Sequence, residues 1–172
     1  MKATDVITDG FGRIREIVHE VVDGVPAERL NARVDPGANS ITWLVWHLTR
    51  IQDDHIADAA DLEQVWRAGG WAHRFALPLP AGSTGYGHSA RQAGTVRVES
   101  GEQLLGYYDA VHEQTVRFVR GLAAGDLERV VDERWDPPVT LGVRLVSVLA
   151  DDLQHAGQAA FVRGALERGP DS

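Results

Sequence analysis

The 172 residues suit one domain with a full hydrophobic core, and we expect residues 1–172 to form a single domain. The formal net charge of −8 repels phosphate backbones and anionic lipids, so neither a nucleic acid nor a membrane is expected as a partner. The absence of cysteine excludes disulfides, thiolate metal ligands and a protein thiol nucleophile, so thiol chemistry would need a thiol brought in as a cosubstrate.

The N-terminal segment carries acidic residues and lacks the apolar stretch of a signal peptide, so we expect a cytoplasmic protein. Apolar residues at helical spacing predict a first helix over residues 3–23, which ends at Gly24 and Pro26. A second helix is predicted from Ile41 to about Trp66, after a connection rich in Gly, Pro, Asn and Asp. One face of this second helix carries Leu44, His47, Ile51, His55 and Asp58.

Residues 67–99 contain six glycines and two prolines, which predicts an irregular crossover that its aromatic residues hold in a packed form. A third helix is predicted over residues 101–122 and a fourth over residues 141–166. The link over residues 127–140 is predicted to be extended or hairpin-like. The pattern therefore predicts an all-α fold, a four-helix bundle with a long crossover between helices 2 and 3.

The last predicted helix carries a pair of side chains with metal-ligand spacing. Asp151 and His155 are four residues apart, so both leave the same face of the helix about one turn apart. Asp152 lies three residues before His155 and is a geometric competitor for the carboxylate role. The best third ligand is His47, because it lies on an apolar helix face where a buried imidazole needs a partner.

Two imidazoles and one carboxylate leave at least one coordination position open, as in catalytic zinc sites and some non-haem iron sites. Such a position can acidify a bound water or hold an incoming thiol as a thiolate. His55 is not expected to share an ion with His47, since the two are about 12 Å apart along a straight helix. We interpret His55 as a solvated or carboxylate-paired residue.

The chain resembles the DinB superfamily, and within it the DUF664 branch and the mycothiol-dependent maleylpyruvate isomerase N-domain. The resemblance is carried by NSITWLVWHLTRIQDDHIAD (39–58), TGYGHS (84–89) and DDLQHAGQAAFVRG (151–164). It implies a four-helix bundle with a metal at one end, held by a histidine of the second helix and a pair of ligands on the fourth. On this chain the implied metal ligands are His47, Asp151 and His155.

The fourth-helix motif departs from the family pattern at two positions. His155, Gly157 and Gln158 match, but Asp151 stands where the family usually has His or Glu, and Ala156 replaces an Arg. Because aspartate is shorter than glutamate and harder than histidine, the affinity or the choice of metal is expected to differ. We expect one divalent transition metal, with zinc the first candidate and nickel, iron and manganese the alternatives.

The resemblance also implies a function and an assembly. Known activities of the family include S-transfer with a low-molecular-weight thiol such as mycothiol, in which a metal-bound thiolate attacks a small electrophile. Two alternatives remain open, namely a hydrolase that uses a metal-activated water, and a non-enzymatic bundle that binds a metal or a small molecule. Related bundles often pair as homodimers, so a homodimer is a further expectation.

Three residues are predicted to contact the substrate, and the sequence does not identify a catalytic residue. Trp71 lies on the crossover and could be either a core or a substrate-contacting residue. The glycine-flanked His88 could close over the open coordination position or stabilise a turn. Gln158 extends the Asp151–His155 face and could support the metal ligands or bridge helices.

Overall fold

Four long helices form the bundle in the computed structural model, which describes residues 1–168. The long helices are α1 (Ala3–Val22), α3 (Ile41–Ala60), α7 (Gly101–Gly121) and α8 (Leu141–Arg168). Both α1 and α3 pack against α7 and α8, which closes the bundle around one core. The predicted all-α bundle is thereby confirmed, while residues 169–172 of the predicted domain lie outside the described residues.

Short elements connect the long helices. They are α2 (Ala27–Leu30), α4 (Val65–Ala68), α5 (Trp71–Phe75), α6 (Ala90–Ala93) and a 3₁₀ turn over Ala124–Glu128. The predicted hairpin-like link is confirmed as strand β1 (Val130–Asp132) paired antiparallel with strand β2 (Val139–Thr140). No helix among residues 1–168 has both the length and the apolar character needed to cross a membrane.

The second long helix ends six residues earlier than predicted. At Asp61 the backbone turns into the left-handed region, with φ of 54°. The chain then returns toward the bundle because the carboxylate of Asp53 accepts hydrogen bonds from the backbone N–H groups of Val65 and Trp66, each at 2.8 Å. The predicted end of this helix was wrong because the apolar spacing continues through Trp66. The carboxylate that binds the backbone of Val65 and Trp66 lies a dozen residues earlier in the chain, at Asp53.

The long crossover between α3 and α7 is ordered by aromatic packing, as predicted. Trp66 contacts three aromatic rings, those of Trp46, Phe75 and Tyr107, at centroid distances between 5.1 and 6.3 Å. Its indole N–H also donates to the carbonyl of Ala81 at 3.0 Å. These contacts hold the first half of the crossover, as far as Ala81, against α3 and α7.

Candidate metal centre

Helices α3 and α8 bring His47, Asp151 and His155 together. One potential ligand atom of each residue lies within 4.8 Å of those of the other two, and this is the one such group of three among residues 1–168. His47 is 5% exposed on α3, whereas Asp151 and His155 are half-buried on α8. The sequence placed two of these residues one helical turn apart, and the packing of α3 against α8 brings in the third.

The imidazole of His47 is oriented by the crossover. Its Nδ1 lies 2.6 Å from the carbonyl oxygen of Thr84. Because a carbonyl can only accept, Nδ1 carries the proton and Nε2 keeps its lone pair for a metal. Burial lowers the pKa of His47, although the hydrogen bond to Thr84 acts in the opposite direction. The imidazole therefore stays neutral to a lower pH than an ordinary histidine does.

Gly85 allows this contact because the loop approaches the imidazole too closely for any side chain. A Cβ at Gly85 would lie 2.6 Å from Nδ1 of His47, and the residue has φ of +94°. Two constraints therefore require glycine here: the backbone conformation and the close approach to a candidate ligand.

We expect Gly85→Ala to weaken metal binding by roughly 10-fold or more, because it displaces the carbonyl that orients His47. The matched control is Gly87→Ala, where φ is +71° but nothing lies within 4 Å of the added Cβ. Both variants strain the backbone, but only the added Cβ of Gly85→Ala collides with the imidazole of His47. Titration of the two apoproteins with zinc measures the difference, and equal affinities would contradict the assigned role of the loop.

His155 is oriented from within its own helix. Its Nδ1 lies 2.8 Å from Oε1 of Gln158, which assigns the proton to Nδ1 and leaves Nε2 toward the site. That Nε2 lies 3.6 Å from Oδ1 of Asp151. Of the two roles left open for Gln158, this contact favours support of the ligand, while a direct contact with substrate stays a prediction.

The donor set fits a divalent transition metal. Oδ2 of Asp151 is buried and makes no hydrogen bond, so the carboxylate has an unsatisfied acceptor at the site. Two imidazole nitrogens with free lone pairs face this carboxylate, the combination of ligands that zinc, iron, nickel and manganese accept. Three protein ligands leave room for a further small-molecule ligand.

The competing carboxylate, Asp152, is not part of this group. Asp152 is fully buried, and neither of its oxygens makes a hydrogen bond within the described residues. Burial, reinforced by the neighbouring charge of Asp151, raises the pKa of Asp152 well above its usual value. The structure therefore brings Asp151, and not Asp152, to the two histidines.

Trp43 forms an aromatic wall of the site that the sequence analysis did not single out. Its ring stacks on His47 at a centroid distance of 4.6 Å and meets the edge of His155 at 6.2 Å. Trp43 stands one turn before His47 on α3, so the same i, i+4 spacing that identified the ligand pair on α8 could have found it. This wall shields one side of both imidazoles from water.

His88 lies beside this wall with both ring nitrogens engaged. Its Nδ1 accepts from the indole N–H of Trp43 at 3.2 Å, so its Nε2 carries the proton and donates to Oγ of Ser83 at 2.8 Å. Burial lowers its pKa. His88 thus holds the crossover against the site, and its predicted contact with substrate stays a prediction.

Trp71 packs on α7. Its ring lies 5.8 Å from Tyr107, the guanidinium of Arg74 sits 4.4 Å above it, and it fills the space over Gly106. These contacts give Trp71 a role in core packing. Its predicted contact with substrate stays a prediction, and none of these neighbours belongs to the metal group.

His55 has a different partner from the one expected. Its Nδ1 accepts from Nη1 of Arg144 at 2.5 Å, and Nη2 of the same guanidinium donates to Asp132 at 3.0 Å. The two guanidiniums of Arg134 and Arg144 hold the pKa of Asp132 well below its usual range. His55 therefore belongs to an arginine network between α3, α8 and β1, and not to the metal group.

Comparison with known proteins agrees with this architecture. The sequence model of the Mycothiol-S-transferase family matches residues 7–168. The chain is also similar to a conserved protein from Enterococcus faecalis of known crystal structure, with 30% sequence identity, a TM-score of 0.92, and coverage of 98% of this chain and 99% of that one. No curated protein matches the chain. A family match over nearly the whole length, on a DinB-like bundle, shows that the chain belongs to the mycothiol S-transferase family.

Proposed function

We propose that this protein is a metal-dependent S-transferase that joins a low-molecular-weight thiol of the mycothiol type to a small electrophile. The observation that carries the proposal is the convergence of His47, Asp151 and His155 at one end of the bundle. The family match supports the thiol as cosubstrate. The lack of cysteine in the chain is consistent with a reaction whose thiol comes from outside.

A divalent ion held by His47, Asp151 and His155 would supply Lewis acidity, which would lower the pKa of a bound thiol toward neutral pH. The chain supplies the ligand atoms and their orientation. Thr84 and Gln158 fix the proton of each imidazole on Nδ1, so both Nε2 atoms are presented as acceptors. Trp43 covers one face of the His47 imidazole and packs edge-on with the His155 imidazole, so it excludes water from that side of the site.

In the proposed reaction the thiol loses its proton and its sulfur forms a bond to an electrophilic carbon. In a displacement, the leaving group takes the electron pair of the broken bond and the proton of the thiol passes to solvent. In an addition, the released proton ends on the substrate. Zinc is the first candidate for the metal, and the proposed setting is the cytoplasm, where small thiols are kept reduced.

Thiol dependence tests this function directly. We expect the zinc- or nickel-loaded protein to consume a mycothiol-type thiol and a haloalkane or epoxide in equal amounts, with the thioether identified by its mass. Omission of the thiol is expected to abolish turnover, because the site then lacks its nucleophile. Loss of electrophile at the same rate without thiol would instead indicate a hydrolase, and no turnover across thiols and electrophiles would favour a non-enzymatic bundle.

A further inference from the structure

A groove runs between α1 and α7 on the side of the bundle opposite the metal group. Because α1 and α3 each pack against α7 and α8, the seam between α1 and α7 lies across the bundle from the seam between α3 and α8, which holds the metal group. The groove has a volume of about 710 Å³, which is within the range of small-molecule sites and far more than a water-sized ion fills. Six ionisable residues line this α1–α7 groove: Arg15, Asp109, His112, Glu113, Arg117 and Arg120.

The α1–α7 groove carries an excess of positive charge in an acidic protein. Its three guanidiniums outnumber its two carboxylates, whereas the chain as a whole has a formal net charge of −8. Both carboxylates are already paired. Asp109 accepts from Nε of Arg15 at 2.8 Å. Glu113 accepts from Nη2 of Arg117 at 2.7 Å. Arg120 has no ion-pair partner among residues 1–168, so its charge is left for an anion in the groove.

His112 turns a hydrogen-bond donor toward the groove. Its Nδ1 is buried and has no hydrogen-bond partner within the described part of the chain, and its ring stacks on Tyr108 at a centroid distance of 6.0 Å. A buried N–H without an acceptor is rarer and more costly than a buried lone pair without a donor, which assigns the proton to Nε2. Nε2 is the ring nitrogen that burial leaves open, and its N–H is therefore free to donate to a ligand in the groove.

Positive charge from both helices acts on the ring of His112. Burial has the largest effect in lowering the pKa of His112, and the charge of Arg15 lowers it further. Asp109 acts in the opposite direction, and the charges of His19 and Arg120 again lower the pKa. Arg120 follows His112 by about two turns of α7, and the side chains of a helix lean toward its N-terminus, so the guanidinium of Arg120 leans back toward the ring. An anion beside the ring therefore meets both Arg15 and Arg120.

We propose that the α1–α7 groove binds a small organic anion, whose phosphate or carboxylate group accepts hydrogen bonds from Nε2 of His112 and from the guanidiniums of Arg15 and Arg120. Guanidinium groups match the geometry of both oxyanions, and charge-assisted hydrogen bonds of this kind are the strong ones. The remaining space of the groove, beside Val116, accommodates the organic part of the ligand. The site lies outside the metal group and requires no step of the proposed S-transfer.

Titration of the zinc-loaded protein with phenyl phosphate and with benzoate, followed by NMR, tests the proposal. We expect at least one of these anions to bind with a Kd of about 1 mM or lower, and the tighter one identifies the oxyanion. Neutral benzyl alcohol should bind more weakly than either, because it offers the arginines no charge. Arg120→Gln should weaken anion binding by roughly 10-fold, since it removes a charge-assisted hydrogen bond. The control is Arg67→Gln, which removes the same charge from an exposed arginine of α4 outside the groove.

The ring signals of His112 distinguish the groove from the metal group as the place where the anion binds. They should shift on binding, and the pKa of His112 should rise, because the anion offsets the charges of Arg15 and Arg120. His155→Ala, which is expected to lack the metal, should bind the anions as the wild type does, so this site is tested independently of the proposed function. No binding of either anion at about 20 mM, equal affinities of Arg120→Gln and wild type, or loss of binding in His155→Ala would each overturn the proposal.

Discussion

His155→Ala is expected to remove the metal from the purified protein. The substitution deletes one of three candidate ligands and leaves His47 and Asp151, which alone bind a divalent ion at least about 100-fold more weakly. Elemental analysis of the untagged wild type and variant measures the effect. We expect about one equivalent of a transition metal in the wild type and a small fraction of that in the variant.

The control is His73→Ala, an exposed histidine on α5 outside the metal group, for which metal content should be unchanged. Because His155 is only half-buried, the apoprotein of His155→Ala should unfold at nearly the wild-type temperature. Absence of metal from both wild type and variant, even after addition of zinc or nickel, would contradict the assignment of the site.

The carboxylate ligand can be tested by the same measurement. Asp151→Ala should lose the metal, whereas Asp151→Glu should keep it with altered affinity, because it restores a carboxylate of the length common in the family. If Asp151→Ala kept its metal and Asp152→Ala lost it, the neighbouring buried carboxyl would be the ligand. That outcome would require α8 to rotate relative to α3.

Asp53→Asn is expected to be the most destabilising single substitution of a polar residue in the bundle. The Asp53 carboxylate accepts from the N–H groups of Val65 and Trp66 and from the hydroxyl of Tyr107, and it lies 3.5 Å from the buried guanidinium of Arg50. An asparagine points an NH₂ group at donors and leaves Arg50 without its counter-charge. We expect a loss of about 3–5 kcal/mol in the free energy of unfolding.

For a chain of this size, such a loss corresponds to a fall in Tm of about 10 °C. Urea denaturation at neutral pH measures the loss in the free energy of unfolding. The control is Asp58→Asn, since Asp58 is exposed on the same helix and its substitution should change the free energy of unfolding by less than about 0.5 kcal/mol. Equal effects of the two substitutions would show that the Asp53 network contributes no special stability. Burial raises the pKa of Asp53 and its donors oppose this, so the test is best made well above that pKa.

The same network is expected to influence the metal site. Nε of Arg50 donates to the carbonyl of Ser83 at 3.1 Å, next to the Thr84 carbonyl that orients His47. Asp53→Asn should therefore also weaken metal binding in the folded protein, although no atom of Asp53 touches the metal group. This link between α3 and the middle of the crossover was invisible in the sequence, because Arg50 and Ser83 are far apart along the chain.

Local regularities made much of the fold predictable. The apolar period identified all four long helices, since one face of each must be buried along its whole length. The end of α3 was missed because the hydrogen bonds that capture Val65 and Trp66 come from Asp53, after a reversal that no periodicity signals. The end of a helix depends on such distant acceptors more than on its own apolar pattern.

By itself, the sequence determined the four helices and the pairing of Asp151 with His155, because both follow from the geometry of a single helix. Only the tertiary structure decided which residues complete the site. It brought His47 to that pair, turned Asp152 into the core, and placed the carbonyl of Thr84 on Nδ1 of His47. These relations depend on how α3, α8 and the crossover pack, and packing joins residues whose separation along the chain carries no periodic signal.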